Sequence, residues 1–226
     1  MASRAGGTYF PVVSVVLLLL SVVAFSDNLF TDVGQPSNND PKFVIHGLFG
    51  LAWYVLLATQ ANLIRVRKVA LHRRMGIATF IVAICVVLST LYIFIVVWKG
   101  WAHTGVEARA NRLLLPGYTA FLLLAWLRRG RPDWHKRLVL AGTFLMLGPV
   151  LARAYDPLFV SWMEPLFPAF TARVDEAGFT AFFFGAWTGF FVSLVAYDWR
   201  TLHRIHPVTV AGFAWFMLAW VASVLT

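Results

Sequence analysis

Seven long apolar stretches constrain the fold of this chain more than any other feature of its sequence. They cover residues 9–26, 43–64, 75–98, 111–127, 136–154, 177–197 and 207–226. A helix needs roughly 20 mostly apolar residues to cross about 30 Å of hydrocarbon, and the fourth and fifth stretches only just provide them. The pattern predicts an all-α, polytopic membrane protein: seven transmembrane helices forming one helical-bundle domain over residues 1–226.

Composition supports this class and argues against a nucleic-acid partner. Hydrophobic residues make up 60% of the chain and charged residues 13%, about half the charged share of a soluble domain. The net charge of +9 comes from short basic clusters between apolar runs, whereas a nucleic-acid binder carries its basic residues on a solvated face. The single cysteine, Cys85, excludes an internal disulfide and a cysteine-based metal site.

The distribution of charge between the two ends of the spans predicts the orientation. Of the 19 Lys and Arg residues, 13 fall on the side of the first span's amino terminus, and eight of the ten acidic residues fall on the opposite side. Because cytoplasmic loops are enriched in Lys and Arg, we expect an N-in, C-out protein of the bacterial inner membrane. Its positive cytoplasmic face would suit anionic lipid headgroups.

A basic turn followed by a histidine occurs three times. The segments LHRRMGIATF, WHKRLVLAGTF and IHPVTVAGF place His72, His135 and His206 at the starts of the third, fifth and seventh spans. After the first helix, the chain therefore reads as three tandem helical hairpins, a type of repeat found in transport proteins; chance similarity of hairpin turns is the alternative. Small residues after each histidine favour close helix contact.

These histidines are the strongest chemical signal in the sequence. If the three helices are neighbours, His72, His135 and His206 can meet at one depth near the cytoplasmic boundary. Three imidazoles suit a divalent metal, and two of them, His72 and His135, suit axial ligation of a b-type haem. The alternative is that each histidine anchors a helix end at the membrane interface.

A second candidate set, for ligand binding, lies at the opposite boundary and consists of His46, Arg112, Arg153 and Asp156. Arg153 can pair with Asp156 or hold an anionic group. The central parts of the spans contain no Asp, Glu, Lys or Arg, which argues against an ion-coupled transporter. The last span has no lysine for a retinal Schiff base.

Aromatic residues are concentrated in the sixth span, FTAFFFGAWTGFF, and in the preceding loop, which contains Trp162, Phe167 and Phe170. Such surfaces can hold a lipid, a quinone or a carotenoid-like molecule, or can dock a partner membrane protein. Packing between aromatic helices is the alternative.

One segment carries a family resemblance. The stretch from His46 to Met75, HGLFGLAWYVLLATQANLIRVRKVALHRRM, is similar to segments of uncharacterised multi-pass bacterial inner-membrane proteins, and more faintly to the second and third helices of b561-type cytochromes. The latter resemblance implies haem ligation by His46 and His72, with His135 as a partner of His72. The histidine that those cytochromes carry in the next helix has no counterpart in RLLLPGYTAFLLLAWL, so the resemblance implies at most one haem.

Three functions follow from these patterns. The leading prediction is a non-enzymatic inner-membrane protein that binds a hydrophobic small molecule, a lipid or a partner subunit. The first alternative is a redox protein with one b-type haem or a metal held by the cytoplasmic-side histidines. The second is a membrane-embedded enzyme that modifies lipid headgroups with those histidines as acid–base groups.

Overall fold

The computed structural model describes residues 7–30 and 36–226, and all regular structure within these ranges is helical. The main helices are α1 (Tyr9–Ala24), α2 (Pro41–Arg65), α3 (Val69–Val96), α4 (Val106–Leu127), α5 (Pro132–Leu145), α6 (Gly148–Tyr155), α7 (Pro168–Leu202) and α8 (Pro207–Leu225). Arg4 and Asp32, which contribute to the charge distribution, lie outside the described residues. The prediction of an all-helical fold is confirmed for the described residues, and the long apolar helices are consistent with a membrane protein.

Local sequence signals explain where several helices begin. Proline occupies the first position of α2, α5, α7 and α8, where its missing N–H would have no helical partner. The Asp40 side chain accepts from the Lys42 N–H at 3.1 Å and caps α2. Nδ1 of His206 accepts from the Val208 N–H at 3.2 Å and caps α8 in the same way. Both caps satisfy a backbone donor that the helix leaves free.

Each of the seven predicted spans coincides with helix, but the spans are not equivalent. In the described residues, the helices α2, α3, α4, α7 and α8 are long and apolar enough to cross a membrane. The fifth predicted span is two helices, because α5 and the segment Gly148–Met163 meet at a 53° bend. The helix α1 is apolar but has only 16 residues. The described residues therefore contain five helices that could cross a membrane, or six with the bent pair, and the seven-helix count and the orientation stay predictions.

The segment between the fifth and sixth spans differs from the expected long outer loop. A π-helical turn at Asp156–Val160 and a short helix at Ser161–Met163 continue directly from α6. The helix α7 then begins at Pro168, nine residues before the apolar stretch that starts at residue 177. Most of this segment is therefore helical, and it carries exposed aromatic side chains, including Trp162 and Phe170.

The three predicted hairpins pack differently. The pairs α2–α3 and α4–α5 are each in extensive contact, whereas the backbones of α7 and α8 make few contacts. Aromatic rings fill the space between α7 and α8, as in the pair Trp187–Phe216 with ring centroids 4.9 Å apart. The helix α8 instead packs its backbone against α4 and α5. The hairpin repeat therefore stays a prediction, and its third copy is the least regular.

Small residues allow the close contacts of α5. A Cβ atom built on Gly142 would lie 3.0 Å from Cβ of Phe121, and one built on Gly212 would lie 3.2 Å from Cβ of Ala141. These positions match the expected use of small residues after the second and third histidines. The equivalent Gly76 in the first copy has no atom within 4 Å of its Cβ position.

Candidate functional site

A cavity of about 100 Å³ lies among α2, α3, α4 and α5. It is close to the end of the bundle where the basic turns 66–68, 128–131 and 203–206 connect the helices, which we call the basic rim. Four polar side chains, from Gln60, His72, Thr79 and His135, line the cavity, and the rest of the lining is mostly apolar. We refer to this site as the imidazole cavity.

The structure brings two of the three recurring histidines together at this site. His72 lies in the first turn of α3 and His135 in the first turn of α5. Their ring centroids are 6.4 Å apart and the ring planes are nearly perpendicular, at 82°. Two imidazoles from different helices therefore border one small, mainly apolar space.

The hydrogen bond of His135 determines which of its ring nitrogens carries the proton. Nδ1 of His135 lies 2.9 Å from the carbonyl oxygen of Ala125. A carbonyl oxygen only accepts, so this Nδ1 carries the proton and donates. In the neutral ring, Nε2 of His135 is then a hydrogen-bond acceptor.

The opposite assignment follows for His72 from its contact with Gln60. In one orientation of the Gln60 side-chain amide, its nitrogen donates to the His72 carbonyl oxygen and its oxygen accepts from the Gly76 N–H, both at 3.2 Å. In the same orientation, the amide nitrogen also donates to Nδ1 of His72. The reverse orientation places oxygen against oxygen and nitrogen against nitrogen. We therefore assign the first orientation, which makes Nδ1 of His72 an acceptor and leaves the proton on Nε2.

The two rings thus present opposite hydrogen-bonding groups. Because each Nδ1 has a partner within the protein, Nε2 is the nitrogen that each ring has available for a further hydrogen bond. His72 supplies an N–H donor and His135 supplies an acceptor. A third group is Trp53, which also lines the cavity: its indole N–H is buried and has no hydrogen-bond partner within the described part of the chain.

His206 does not share the cavity. Its Nδ1 caps α8, its ring packs edge-on against Trp134 with centroids 4.9 Å apart, and its Nε2 lies 4.0 Å from a carboxylate oxygen of Asp133. The His206 backbone N–H donates to Asp198 at 3.0 Å. This third histidine therefore belongs to the junction of α5, α7 and α8.

That junction contains a buried ion pair. Nε of Arg137 donates to Asp198 at 2.7 Å, and the two side chains are 1% and 0% exposed. Asp198 also accepts from the Thr209 hydroxyl at 2.5 Å. Arg137 donates in addition to the Asp133 carbonyl at 2.9 Å, so the pair links α5, α7 and α8 near the basic rim.

The four residues predicted at the opposite boundary have separate partners. His46 shares a 2.9 Å hydrogen bond with the Ser89 hydroxyl. Arg112 donates to the Phe94 carbonyl at 2.8 Å and lies over the Phe94 ring, 4.6 Å from its centroid. Arg153 donates to the Pro149 carbonyl at 3.3 Å, while Asp156 accepts from Ser161 at 3.3 Å. Within the described residues, Arg153 and Asp156 form no ion pair with each other.

The aromatic face of α7 is largely used in packing. Phe183, Trp187 and Phe191 are buried, and the Trp187 indole donates to the Phe144 carbonyl at 2.6 Å. This carbonyl lies in the last turn of α5, where the helix leaves acceptors free. Binding of a quinone or carotenoid-like molecule along α7 stays a prediction, and these three side chains already have partners.

The imidazole pair fits a haem or a metal only in part. A ligating imidazole needs a lone pair on the ligating nitrogen and a donating N–H on the other; His135 meets this condition, and His72 does not, because its proton lies on Nε2. A volume of about 100 Å³ is also well below the roughly 300–1,000 Å³ of pockets for drug-sized ligands. Among the residues described, no group of three or more His, Cys, Asp or Glu side chains is arranged to hold a metal.

Comparison of the chain with models of protein families, with curated proteins and with solved structures found no match.

Proposed function

We propose that this protein is an integral membrane protein that binds, without chemical conversion, a lipid-like molecule whose hydroxyl group enters the imidazole cavity. The long apolar helices support the membrane location. The observation that carries the proposal is the pair of opposite hydrogen-bonding groups on His72 and His135. A hydroxyl group donates and accepts at once, so a single hydroxyl oxygen can accept from His72 and donate to His135.

The surroundings of the pair favour an amphiphilic ligand over a freely soluble one. Apart from its polar groups, the cavity is lined by side chains such as Leu57, Phe80 and Leu122. Such a lining gains free energy when it is covered by apolar atoms rather than by water. The N–H of Trp53 supplies a further donor, so one oxygen-bearing group among a few carbon atoms satisfies the site.

Photolabelling with a long-chain alcohol tests this proposal. A hexadecanol that carries a diazirine near its hydroxyl end is bound to the purified protein in lipid nanodiscs, irradiated, and its attachment sites are mapped by mass spectrometry. The expected result is labelling of the α2, α3 and α5 segments that line the cavity, reduced about fivefold in His135→Phe, because the loss of one hydrogen bond costs about 1 kcal/mol. The methyl ether of the same probe lacks the donor and should label weakly.

The control is His103→Ala, which changes an exposed histidine at the opposite end of the bundle. Its labelling should match that of the wild type. Equal labelling of the cavity segments in wild type and His135→Phe, or equal labelling by the alcohol and its ether, would show that the imidazoles do not recognise a hydroxyl group.

The redox alternative keeps one supporting observation, namely that His135 donates through Nδ1 to a carbonyl as ligating histidines do. Protein purified from haem-replete cells would then show a Soret band that is lost in His135→Phe. The lipid-modifying alternative would place the same two imidazoles in acid–base roles; it stays a prediction that a headgroup-conversion assay can test.

A further inference from the structure

The entrance, the volume and the charged surroundings of the imidazole cavity restrict its ligand further. This step rests on the proposed function and names the class of molecule. Several lining residues, including His72, Thr79 and His135, are partly exposed, so the cavity opens to the surface of the bundle. A ligand therefore need not be enclosed as a whole, and only one end of it has to enter.

The volume limits which end that is. An engineered cavity of about 150 Å³ in another protein holds a benzene molecule, and the imidazole cavity has about 100 Å³. It therefore accommodates a hydroxyl group with a few carbon atoms, and it is too small to enclose a whole acyl chain or a large ring. The same volume would hold about three water molecules, each occupying about 30 Å³, which the ligand would displace.

Two basic side chains lie at the basic rim near the imidazole cavity. The Phe80 ring lines the cavity and stacks on Trp126 at a centroid distance of 4.5 Å. The guanidinium carbon of Arg129 lies 4.8 Å from the centroid of Trp126, and Arg73 directly follows His72. Arg73 and Arg129 are exposed, and neither forms an ion pair with a carboxylate in the described ranges. A phosphate group placed here would meet positive charge that no protein carboxylate already neutralises.

An apolar surface continues along α3 beyond the opening. Ile77, Ile81 and Ile84 occur at helical spacing next to cavity-lining positions, and all three are more than 40% exposed. Residues spaced by three and four positions lie on one side of a helix. Acyl chains can lie along this row while the headgroup stays at the basic rim.

We infer that the ligand is an anionic phospholipid with a hydroxylated headgroup, of the phosphatidylglycerol class. Its headgroup hydroxyl lies between Nε2 of His72 and Nε2 of His135, its phosphate lies near Arg73 and Arg129, and its acyl chains follow the isoleucine row of α3. With the predicted orientation, the lipid belongs to the cytoplasmic leaflet, whose anionic surface favours such contacts.

Native mass spectrometry of the protein from phosphatidylcholine nanodiscs tests this inference. The nanodiscs contain either phosphatidylglycerol or phosphatidylmethanol, which carries the same charge but has no headgroup hydroxyl. We expect about fivefold more retained phosphatidylglycerol than phosphatidylmethanol, the effect of one hydrogen bond. His135→Phe and His72→Phe should each remove this preference without lowering the retention of phosphatidylmethanol.

Arginine variants separate the charge contribution from the hydroxyl contribution. The double variant Arg73→Gln/Arg129→Gln should lower the retention of both anionic lipids equally, while Arg200→Gln, at an exposed position of the same rim on α7, should leave both unchanged. Equal retention of the two lipids by the wild type would overturn the inference. If the wild type retains the two lipids equally but the alcohol probe still labels the cavity in a His135-dependent way, only the phospholipid inference fails and the proposed function stands. If the alcohol probe also shows no dependence on His135, the inference and the proposed function both fail. A thermal unfolding midpoint for each variant confirms that it is folded.

Discussion

At the scale of single residues, Arg137 and Asp198 are the most buried charged side chains among the described residues. Three donors converge on Asp198: Nε of Arg137, the His206 backbone N–H and the Thr209 hydroxyl. A buried ion pair loses much of its Coulombic gain to desolvation, but removal of one partner leaves the other charge unpaired. The pair therefore makes each single substitution costly and determines how α5, α7 and α8 meet.

The substitution Arg137→Met should therefore destabilise the protein by about 3–5 kcal/mol, because it leaves the Asp198 carboxylate buried without its cation. The double variant Arg137→Met/Asp198→Asn should recover much of this loss, since the asparagine oxygen still accepts from His206 and Thr209. Tryptophan fluorescence during thermal unfolding in detergent measures both. Losses that simply add in the double variant would contradict the coupling.

His206 should make stability depend on pH. Its burial and then the nearby Arg137 guanidinium lower the pKa of His206 below its usual value, against the opposite effect of Asp198 and Asp133. The unfolded chain then takes up a proton first as the pH falls, so stability is complete above about pH 6.5 and decreases as the pH falls towards the folded-state pKa.

The variant His206→Asn isolates this effect, because asparagine retains a capping acceptor for α8 but does not titrate. Between about pH 7.5 and 5.5, the thermal unfolding midpoint of the wild type should fall more than that of His206→Asn. Parallel curves for the two proteins would exclude a contribution from His206.

Some of these residues could be recognised from the sequence and others could not. His72 and His135 were identifiable because both follow a basic turn at the start of an apolar helix. Gln60 was visible only as a polar residue in an apolar span, a position at which a hydrogen-bonding partner is expected. Arg137 and Asp198 resembled ordinary charged residues at helix ends, because the two residues are 61 positions apart in the sequence and nothing local indicates their pairing.

At the scale of helices, the sequence predicts the apolar portions well and the helix ends less well. The helix α7 begins nine residues before its apolar stretch, because its backbone hydrogen bonds continue through polar residues such as Arg173 and Glu176. The bend between α5 and α6 occurs where Pro149 lacks the N–H that a continuous helix would use. Hydropathy alone predicts one continuous span through this bend, although Gly148–Pro149 is a recognisable signal for a helix break.

Close packing of α5 on α4 gives a prediction at this scale. Gly142→Leu should destabilise the protein by about 1–3 kcal/mol, because the added side chain must displace Phe121, whose Cβ lies 3.0 Å from the position of a new Cβ. Gly185→Leu is the matched control, since no atom lies within 4 Å of its Cβ position. The thermal unfolding midpoint of Gly142→Leu should be lower than that of Gly185→Leu. Equal midpoints would show that the contact between Gly142 and Phe121 does not limit the size of the side chain at position 142.

At the scale of the whole molecule, the number of membrane crossings determines where the termini lie. Five helices qualify as spans, the bent pair can add a sixth, and α1 would be the seventh. With α1 and the bent pair both crossing, the amino terminus and Thr226 lie on opposite sides. If either one fails to cross, they lie on the same side. The basic turns at one end of the bundle favour the first arrangement, with that end in the cytoplasm.

Fusions of alkaline phosphatase, which is active only outside the cytoplasm, distinguish the arrangements. We expect activity for fusions after Thr226 and within residues 99–105, and none for a fusion within residues 128–131, because the basic turns resist translocation. Activity at 99–105 without activity at Thr226 would mean that the bent pair enters and leaves the membrane on one side. That topology would place the end of α7 on the side opposite the start of α5. It would contradict the structure, in which Arg137 near the start of α5 pairs with Asp198 near the end of α7 at the basic rim.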